Sequence, residues 1–329
     1  GVNTDFYVSR DSGTSFINLK TTGSASSANL LTGQGWYDNV ILGHPFNANV
    51  FYVGGIAVFK VTITGENFTS TSIASGYDNS QINTEVHVDQ HGLTTVLGNN
   101  QEFRILLVND GGMYSTSFKQ DPGVNQGDWS GDAVGKNSTQ FYGATKQNGK
   151  DNYLAGAQDN GSWISRGNDS DKSKTYAFVY GGDGYEALWH FTKPGDFLVT
   201  SQYGRVGRYL NNIYAGDANI ADSGNSSIAP FYSKISNADN NPDAVFTITN
   251  RGVWRSTDFG ENWALVSLPS SFGASNNSAL NVEVSTADPN VVWAGGAMRE
   301  NRSNLLQVSE DNGQTYTATN AYSSPKNNH

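Results

Sequence analysis

Cysteine is absent from this 329-residue chain and methionine appears only twice. Disulfides and thiol chemistry are thereby excluded, although many secreted bacterial proteins also lack cysteine, so the compartment is left open. Basic charge is scarce too: 20 Lys and Arg stand against 30 Asp and Glu, a net charge of −10. With no basic cluster there is no phosphate-binding surface, which argues against a nucleic-acid partner. No window approaches the ~18 consecutive apolar residues of a membrane helix, so direct membrane insertion is not expected. The start carries no charged-then-apolar leader, and Gly1 suggests a mature or cropped terminus. What is plentiful is glycine (37), tyrosine (16) and phenylalanine (16). That mixture favours many short strands joined by tight turns, and the length has room for one large all-β unit. The acidic, Lys-poor, Asn/Ser/Thr/Gly-rich composition looks extracellular and bacterial. The sequons at Asn67, Asn137, Asn168 and Asn225 are expected by chance in so Asn-rich a chain.

One eight-residue pattern occurs three times: Ser9-Arg-Asp11-Ser-Gly13-Thr-Ser-Phe16, Ser256-Thr-Asp258-Phe-Gly260-Glu-Asn-Trp263 and Ser309-Glu-Asp311-Asn-Gly313-Gln-Thr-Tyr316. Ser and Asp side chains can accept the N–H groups of such a turn, glycine takes a positive φ, and the aromatic residue anchors the returning strand. A second punctuation is an apolar run ending in a glycine turn. It appears at Val53-Gly54-Gly55, Val108 to Gly112, Ala155 to Gly161, Val199 to Gly204, Phe246 to Gly252 and Val292 to Gly296. Asp258 and Asp311 lie 53 positions apart, and the glycine turns recur at a similar interval. That is the period of a four-stranded propeller blade. Six complete blades are expected, beginning near Trp36, Glu85, Thr139, Gly181, Phe231 and Leu280. Residues 1–20 read as the outer two strands of a seventh, partial blade. With its inner strands missing, residues 1–329 are expected to be a single propeller domain from a longer protein. Residues 120–137 and 211–229 are read as long loops and 322–329 as a disordered tail.

In a blade whose strands run A to D outward from the axis, the entry to strand A and the B–C hairpin share one face. The Asp-containing C–D turn lies on the other. The unusual polar and aromatic residues fall at the first two places. Strand-A entries carry Trp36-Tyr37-Asp38, His87-Val-Asp89-Gln-His91, Gln140-Phe-Tyr142 and Asp183-Gly-Tyr185-Glu186. The B–C turns carry Asn109-Asp110, Gln158-Asp159-Asn160, Gln202-Tyr203 and Asn250-Arg251. Read as a strand, His87, Asp89 and His91 share a face. The plain alternative is that Asp-Gly and Asn-Gly are simply good hairpin turns, or that the polar groups pair structurally around the axis. His44 and His190 look ordinary.

The triplicate pattern is the Asp box, so the chain resembles the Asp-box β-propellers: sialidases, sortilin-type receptors and xyloglucanase-type glycoside hydrolases. The order Gly35-Trp-Tyr-Asp-Asn39, Val86-His-Val-Asp-Gln-His91, Asn109-Asp-Gly-Gly112, Gln140-Phe-Tyr142, Gly156-Ala-Gln-Asp-Asn-Gly161, Gly181-Gly-Asp-Gly184 and Ser201-Gln-Tyr-Gly204 is similar to large secreted bacterial proteins of the sortilin-like and xyloglucanase-like repeat class. Many of these carry a C-terminal sorting domain. The resemblance implies an all-β, seven-bladed propeller of four-stranded antiparallel blades and an extracellular or cell-surface address.

Three functions are weighed. The favoured one is a module binding a polysaccharide or an extracellular protein. Trp36, Tyr37, Tyr142, Tyr185 and Tyr203 would stack on sugar, and Asp38, Gln140, Gln158, Asp159, Asp183 and Gln202 would meet hydroxyls. The alternative is a glycoside hydrolase using two of Asp38, Asp89, Asp110, Asp159 and Asp183. The Asp-Val-Gly-Gly turn that holds a catalytic Asp in xyloglucanase relatives has only Val53-Gly54-Gly55 here. Arg104, Arg205 and Arg251 do not sit at matching positions for a sialidase's arginine triad. A lyase using His87 or His91 with Tyr142 is the lesser alternative. The third is a metal site at Asp89, His91 and Asp110, with Ca²⁺ preferred over a transition metal.

Overall fold

A short apolar strand that turns and runs back beside itself is the unit from which this chain is built. The computed structural model describes residues 5–21, 29–76, 83–131, 139–166, 175–269, 272, 280–296 and 306–319. The expected tail, 322–329, lies outside the described residues, as do the sequons at 137 and 168. Two compact units divide the chain, residues 1–138 and 139–329.

The first unit holds β1 (Phe6–Val8), β2 (Ile17–Thr21), β3 (Val40–Gly43), β4 (Val50–Gly54), β5 (Val58–Thr64), β6 (Asn67–Ala74), β7 (Gln90–Leu97), β8 (Phe103–Asn109), β9 (Gly112–Thr116) and β10 (Trp129–Gly131). β3 to β6 form one antiparallel meander and β7 to β10 the next. The β1–β2 hairpin adds to the outer edge of the first meander, where β2 runs parallel to β6 through Lys20 and Thr21. The second unit holds four further meanders. They are β11 to β14 (Gly143–Lys146, Tyr153–Ala157, Gly161–Arg166, Thr175–Tyr180) and β15 to β18 (Ala187–Trp189, Phe197–Ser201, Arg205–Leu210, Ile213–Asp217). Then come β19 to β22 (Ile235–Ala238, Asn241–Thr249, Gly252–Ser256, Ala264–Ser267) and β23 to β26 (Asn281–Val284, Val292–Gly295, Gln307–Ser309, Thr317–Ala318).

The fold is thus all-β, with six four-stranded antiparallel blades starting a few residues after the expected positions. Within the second unit the first strands β11, β15, β19 and β23 are successive neighbours, and in the first unit β3 lies beside β7. Four of the five core clusters span two adjacent sheets, and the fifth packs the β1–β2 hairpin on the first meander. Tyr52 and Val58 pack with Phe103, Ile105 and Leu107, and Phe246, Ile248 and Val253 pack with Val282, Val284 and Val292. The middle strands are therefore covered on both faces and read as continuous apolar runs.

Two expected loops contain strands. Trp129–Gly131 closes the second blade and Ile213–Asp217 the fourth. Both are outermost strands. Tyr214 is largely exposed, and such an edge needs so little apolar sequence that it reads as loop.

All three Ser-x-Asp-x-Gly turns join third to fourth strands or their equivalents, β1 to β2, β21 to β22 and β25 to β26. They repeat one set of bonds. Gly13, Gly260 and Gly313 donate their N–H to Ser9, Ser256 and Ser309 Oγ at 2.7, 2.8 and 2.7 Å. Asp11, Asp258 and Asp311 Oδ1 accept the N–H of Ser15, Asn262 and Thr315 at 2.9, 2.8 and 2.9 Å. The later two turns lie on the preceding sheet, Gly260 against Leu198 and Gly313 against Phe246, and Trp263 and Tyr316 join those cores. Phe16 does not anchor in this way. It stays 63% exposed.

Hydrogen bonds to the ionised form hold all three turn carboxyls below the ordinary range. Asp11 falls to about 2, chiefly through the Ser15 hydroxyl and N–H, and Asp311 drops likewise through Thr315. Asp258 is also lowered, the bonds from Asn262 and Ser256 outweighing a desolvation that acts the other way. A depressed folded-state value means the unfolded chain takes up the proton first, so this stabilisation is complete above the unfolded value and fades as pH falls through the folded one. Melting temperature should therefore hold near neutrality and fall from about pH 4 toward about pH 2. Asp258→Asn with Asp311→Asn should flatten that limb in a thermal-melt series.

Candidate functional site

Backbone hydrogen bonds join the second-to-third-strand turn of one blade to the entry segment of the next. Gln90 N–H donates to Gly55 O at 2.9 Å, Gly184 N–H to Ala157 O at 3.0 Å and Tyr203 N–H to Pro230 O at 3.1 Å. Where Ala157 and Gly184 meet, the close backbone approach requires glycine. A Cβ on Gly156 would stand 2.3 Å from Tyr185 O. This explains the spacing of the Gly156 to Gly161 and Gly181 to Gly184 motifs.

In the second unit these contacts gather Gln158, Asp159, Asp183, Gln202 and Tyr203. Asp183 Oδ1 accepts the Asp159 N–H at 2.9 Å, while Asp183 N–H donates to Gln202 Oε1 at 2.9 Å. The Ser201 hydroxyl donates to the same Gln202 oxygen. Asp159 and Tyr203 hold left-handed backbone angles, φ 63 and 61, at the tips of their turns. Strained non-glycine residues of this kind cluster at functional sites.

Beside this row lies an aromatic cluster. Tyr185 packs against Tyr142, Tyr232 and Phe231 with ring centroids 5.3, 4.8 and 5.8 Å away, and Tyr203 meets Phe231 at 5.4 Å. Tyr142 and Phe231 are exposed, but Tyr185, expected at the rim, is fully buried beneath them and its hydroxyl has no protein partner. Burial pushes that hydroxyl well above the usual tyrosine range. Glu186 Oε1 accepts from Tyr232 Oη at 2.8 Å and from Lys234 Nζ at 2.7 Å, and the ammonium sits 4.2 Å from the Tyr232 ring centre. Gln140 is exposed just ahead of β11.

In the first unit the 3₁₀ turn Thr32–Gln34 leads into Trp36-Tyr37-Asp38. Asp38 is wholly buried. Gln34 Nε2 donates to Asp38 Oδ2 at 3.1 Å and to Asp89 Oδ1 at 3.2 Å. Burial, then the charge of Asp38 and a hydrogen bond with it, raise the Asp89 carboxyl to about 6. His91 Nε2 lies 2.6 Å from Asp110 Oδ1, and its ring stands edge-on to Tyr37 at 4.9 Å. Trp36 projects outward, 84% exposed.

His87, Asp89 and His91 do not share a strand face. β7 begins only at Gln90, Asp89 takes φ 64, and the register slips between Gln90 and Gly92. His87 instead lies over the β8–β9 turn, so close that a Cβ on Gly111 would stand 2.3 Å from its Cβ. His87 O accepts from Asn109 Nδ2 at 2.7 Å and from Gln90 Nε2 at 2.8 Å. Arg251 pairs with the buried Asp222 at 2.7 Å, a structural contact. His190 is buried against Phe259 and bonds Asp243 at 3.0 Å, while His44 stands edge-on to Phe103 at 4.7 Å, both in first-to-second-strand connections.

Gln34, Phe231, Tyr232 and Lys234 were not anticipated as site residues. One signal was available for two of them: the pairs Trp36-Tyr37, Phe141-Tyr142 and Phe231-Tyr232 all precede a first strand. An apolar cavity of about 400 Å³ lies elsewhere in the first unit, lined by Phe6, Leu19, Ile41, Val50, Phe51 and Ile63 among others. None of the sequence-predicted site residues lines it.

No family model and no curated protein matches the sequence. Among solved structures the chain is similar to the GH74 xyloglucanase from Xanthomonas campestris, with a TM-score of 0.48 at 15% identity over 86% of this chain and 40% of that one. An ancestral GH74 enzyme gives 0.39 at 13% identity over 84% and 37%. The chain spans well under half the length of either. At such scores overall likeness carries little weight, and the architecture rests on strand pairing.

Gly156→Ala must displace the Asp183–Tyr185 segment. It should cost about 1–3 kcal/mol, read as a lower urea midpoint.

Proposed function

We propose that this chain is a ligand-binding β-propeller module of an extracellular or cell-surface protein, and that it holds a glycan at the strand-entry ends of its blades. The supporting observation is the arrangement around Tyr142 and Phe231. Exposed aromatic faces lie beside Asp159, Asp183 and Gln202, which are fixed by mutual hydrogen bonds. Aromatic rings bury the C–H face of a sugar and amide or carboxylate oxygens take its hydroxyls. The rings need no rearrangement to do so, since Tyr142 already rests on buried Tyr185. In this reading the module is one part of a seven-bladed Asp-box propeller within a larger secreted protein. An extracellular protein partner would use the same surface.

Binding is preferred to hydrolysis for one geometric reason. Glycosidase carboxylates stand roughly 5–10 Å apart across the scissile bond. Asp38 and Asp89 are instead hydrogen-bonded to each other, and Asp183 is committed to the Asp159 backbone.

Retention of the full chain on a polysaccharide panel, by affinity electrophoresis, tests this. Tyr142→Ala and Phe231→Ala should each weaken retention of the bound polymer about tenfold, the equivalent of ~1.4 kcal/mol, with unfolding unchanged. Retention insensitive to both substitutions would overturn the site assignment. Release of reducing sugar that Asp159→Asn abolishes would replace binding with hydrolysis.

A further inference from the structure

We propose that Asp38, Asp89 and Asp110 of the first unit form a binding site for one hard divalent cation, Ca²⁺, with Gln34 and His91 as supporting groups. Asp89 is the carboxylate common to two close pairs. Asp89 is hydrogen-bonded to Asp38, and oxygens of Asp89 and Asp110 lie within 4.8 Å of each other. That separation matches two ligands of one ion bound at 2.3–2.6 Å.

A separate observation points to a missing cation rather than to a self-contained polar network. Asp38 is wholly buried, yet its Oδ1 has no hydrogen-bond partner. A buried carboxylate oxygen left without a donor or counter-charge is costly, and native chains rarely leave one so. Its other oxygen is held by Gln34, and the charges acting on its neighbour Asp89 are those of Asp38, Asp110 and His87. Only the imidazole among these could oppose the carboxylates, and His87 Nδ1 lies 3.1 Å from Val88 O.

The donor set selects the ion. Carboxylate and amide oxygens suit Ca²⁺ or Mg²⁺ rather than a transition metal. His91, whose Nε2 faces Asp110 Oδ1 at 2.6 Å, acts as the outer partner that orients a ligating carboxylate, and so is not itself a ligand. Gln34 already spans Asp38 and Asp89, and turning its amide would present Oε1 to an ion between them. Ca²⁺ is preferred to Mg²⁺ because entry loop, bulge and turn supply an irregular shell, not an octahedral one. Ca²⁺ binding here does not require that the aromatic cluster of the second unit hold a glycan.

Titration calorimetry on the full chain, stripped with EGTA and dialysed, reads this directly with CaCl₂. One site should appear, with half-saturation at about 0.1–1 mM, as for extracellular Ca²⁺ modules, and 10 mM CaCl₂ should raise the melting temperature by a few degrees. Asp38→Asn should weaken Ca²⁺ at least tenfold. Asp110→Asn, at a half-buried turn position and so less able to disturb folding than the wholly buried Asp38, should do the same. Absence of heat together with an unchanged melting temperature would overturn the proposal, as would Ca²⁺ binding that both substitutions leave intact. If Asp38→Asn instead stabilises a protein on which Ca²⁺ has no effect, the carboxylates share a proton and no ion is held.

Discussion

The contact on which the rest depends is the backbone hydrogen bond between one blade's inner turn and the next blade's entry. Gly55 O with Gln90 N–H, Ala157 O with Gly184 N–H and Pro230 O with Tyr203 N–H are three instances. Each brings two peptide chains to van der Waals contact at the sheet ends, where Gly156 and Gly111 leave room that a methyl group would fill. Because the backbones touch, side chains on either side are forced into reach of one another. Asp183 meets Asp159 in this way, and Asp89 meets Asp38 through the same kind of join. Polar groups so placed cannot all reach water, which is why they bond to one another and why one of them, Asp38 Oδ1, is left over.

The two units use this construction differently. In the second, the turns present uncharged and singly charged oxygens beside a layer of rings, with Glu186 compensated by Lys234. In the first, acidic groups crowd together and the rings Trp36 and Tyr37 stand at the side. Sequence repeats made the sheets alike; it is the two or three residues at each entry that made the ends unlike.

What could be read in advance was local. The Ser-Asp-Gly turns, the blade period and the six blade starts are set by residues within ten positions of one another, and the hydrogen bonds at Ser9, Ser256 and Ser309 follow the pattern directly. The placement of Tyr142 and Asp183 at strand entries, and of Gln202 in a second-to-third-strand turn, was legible because the glycine turns mark the blade period. The failures came where non-local geometry intervened. A left-handed Asp89 and the slip after Gln90 broke the two-residue alternation expected through His87 and His91. Tyr185 became buried because Phe231 and Tyr232, some forty-six positions on, close over it. The 3₁₀ turn that swings Gln34 between two carboxylates leaves no mark in hydrophobic periodicity.

The unpartnered hydroxyl of Tyr185 carries a consequence of its own. Enclosed by rings, that oxygen has given up its water without receiving a replacement, and a phenylalanine of the same outline would be spared the penalty. The floor under Tyr142 therefore carries a polar cost that ring packing alone must offset. Tyr185→Phe would thus keep the surface above as it is while removing the cost below, so the hydroxyl is dispensable to the layer's stability.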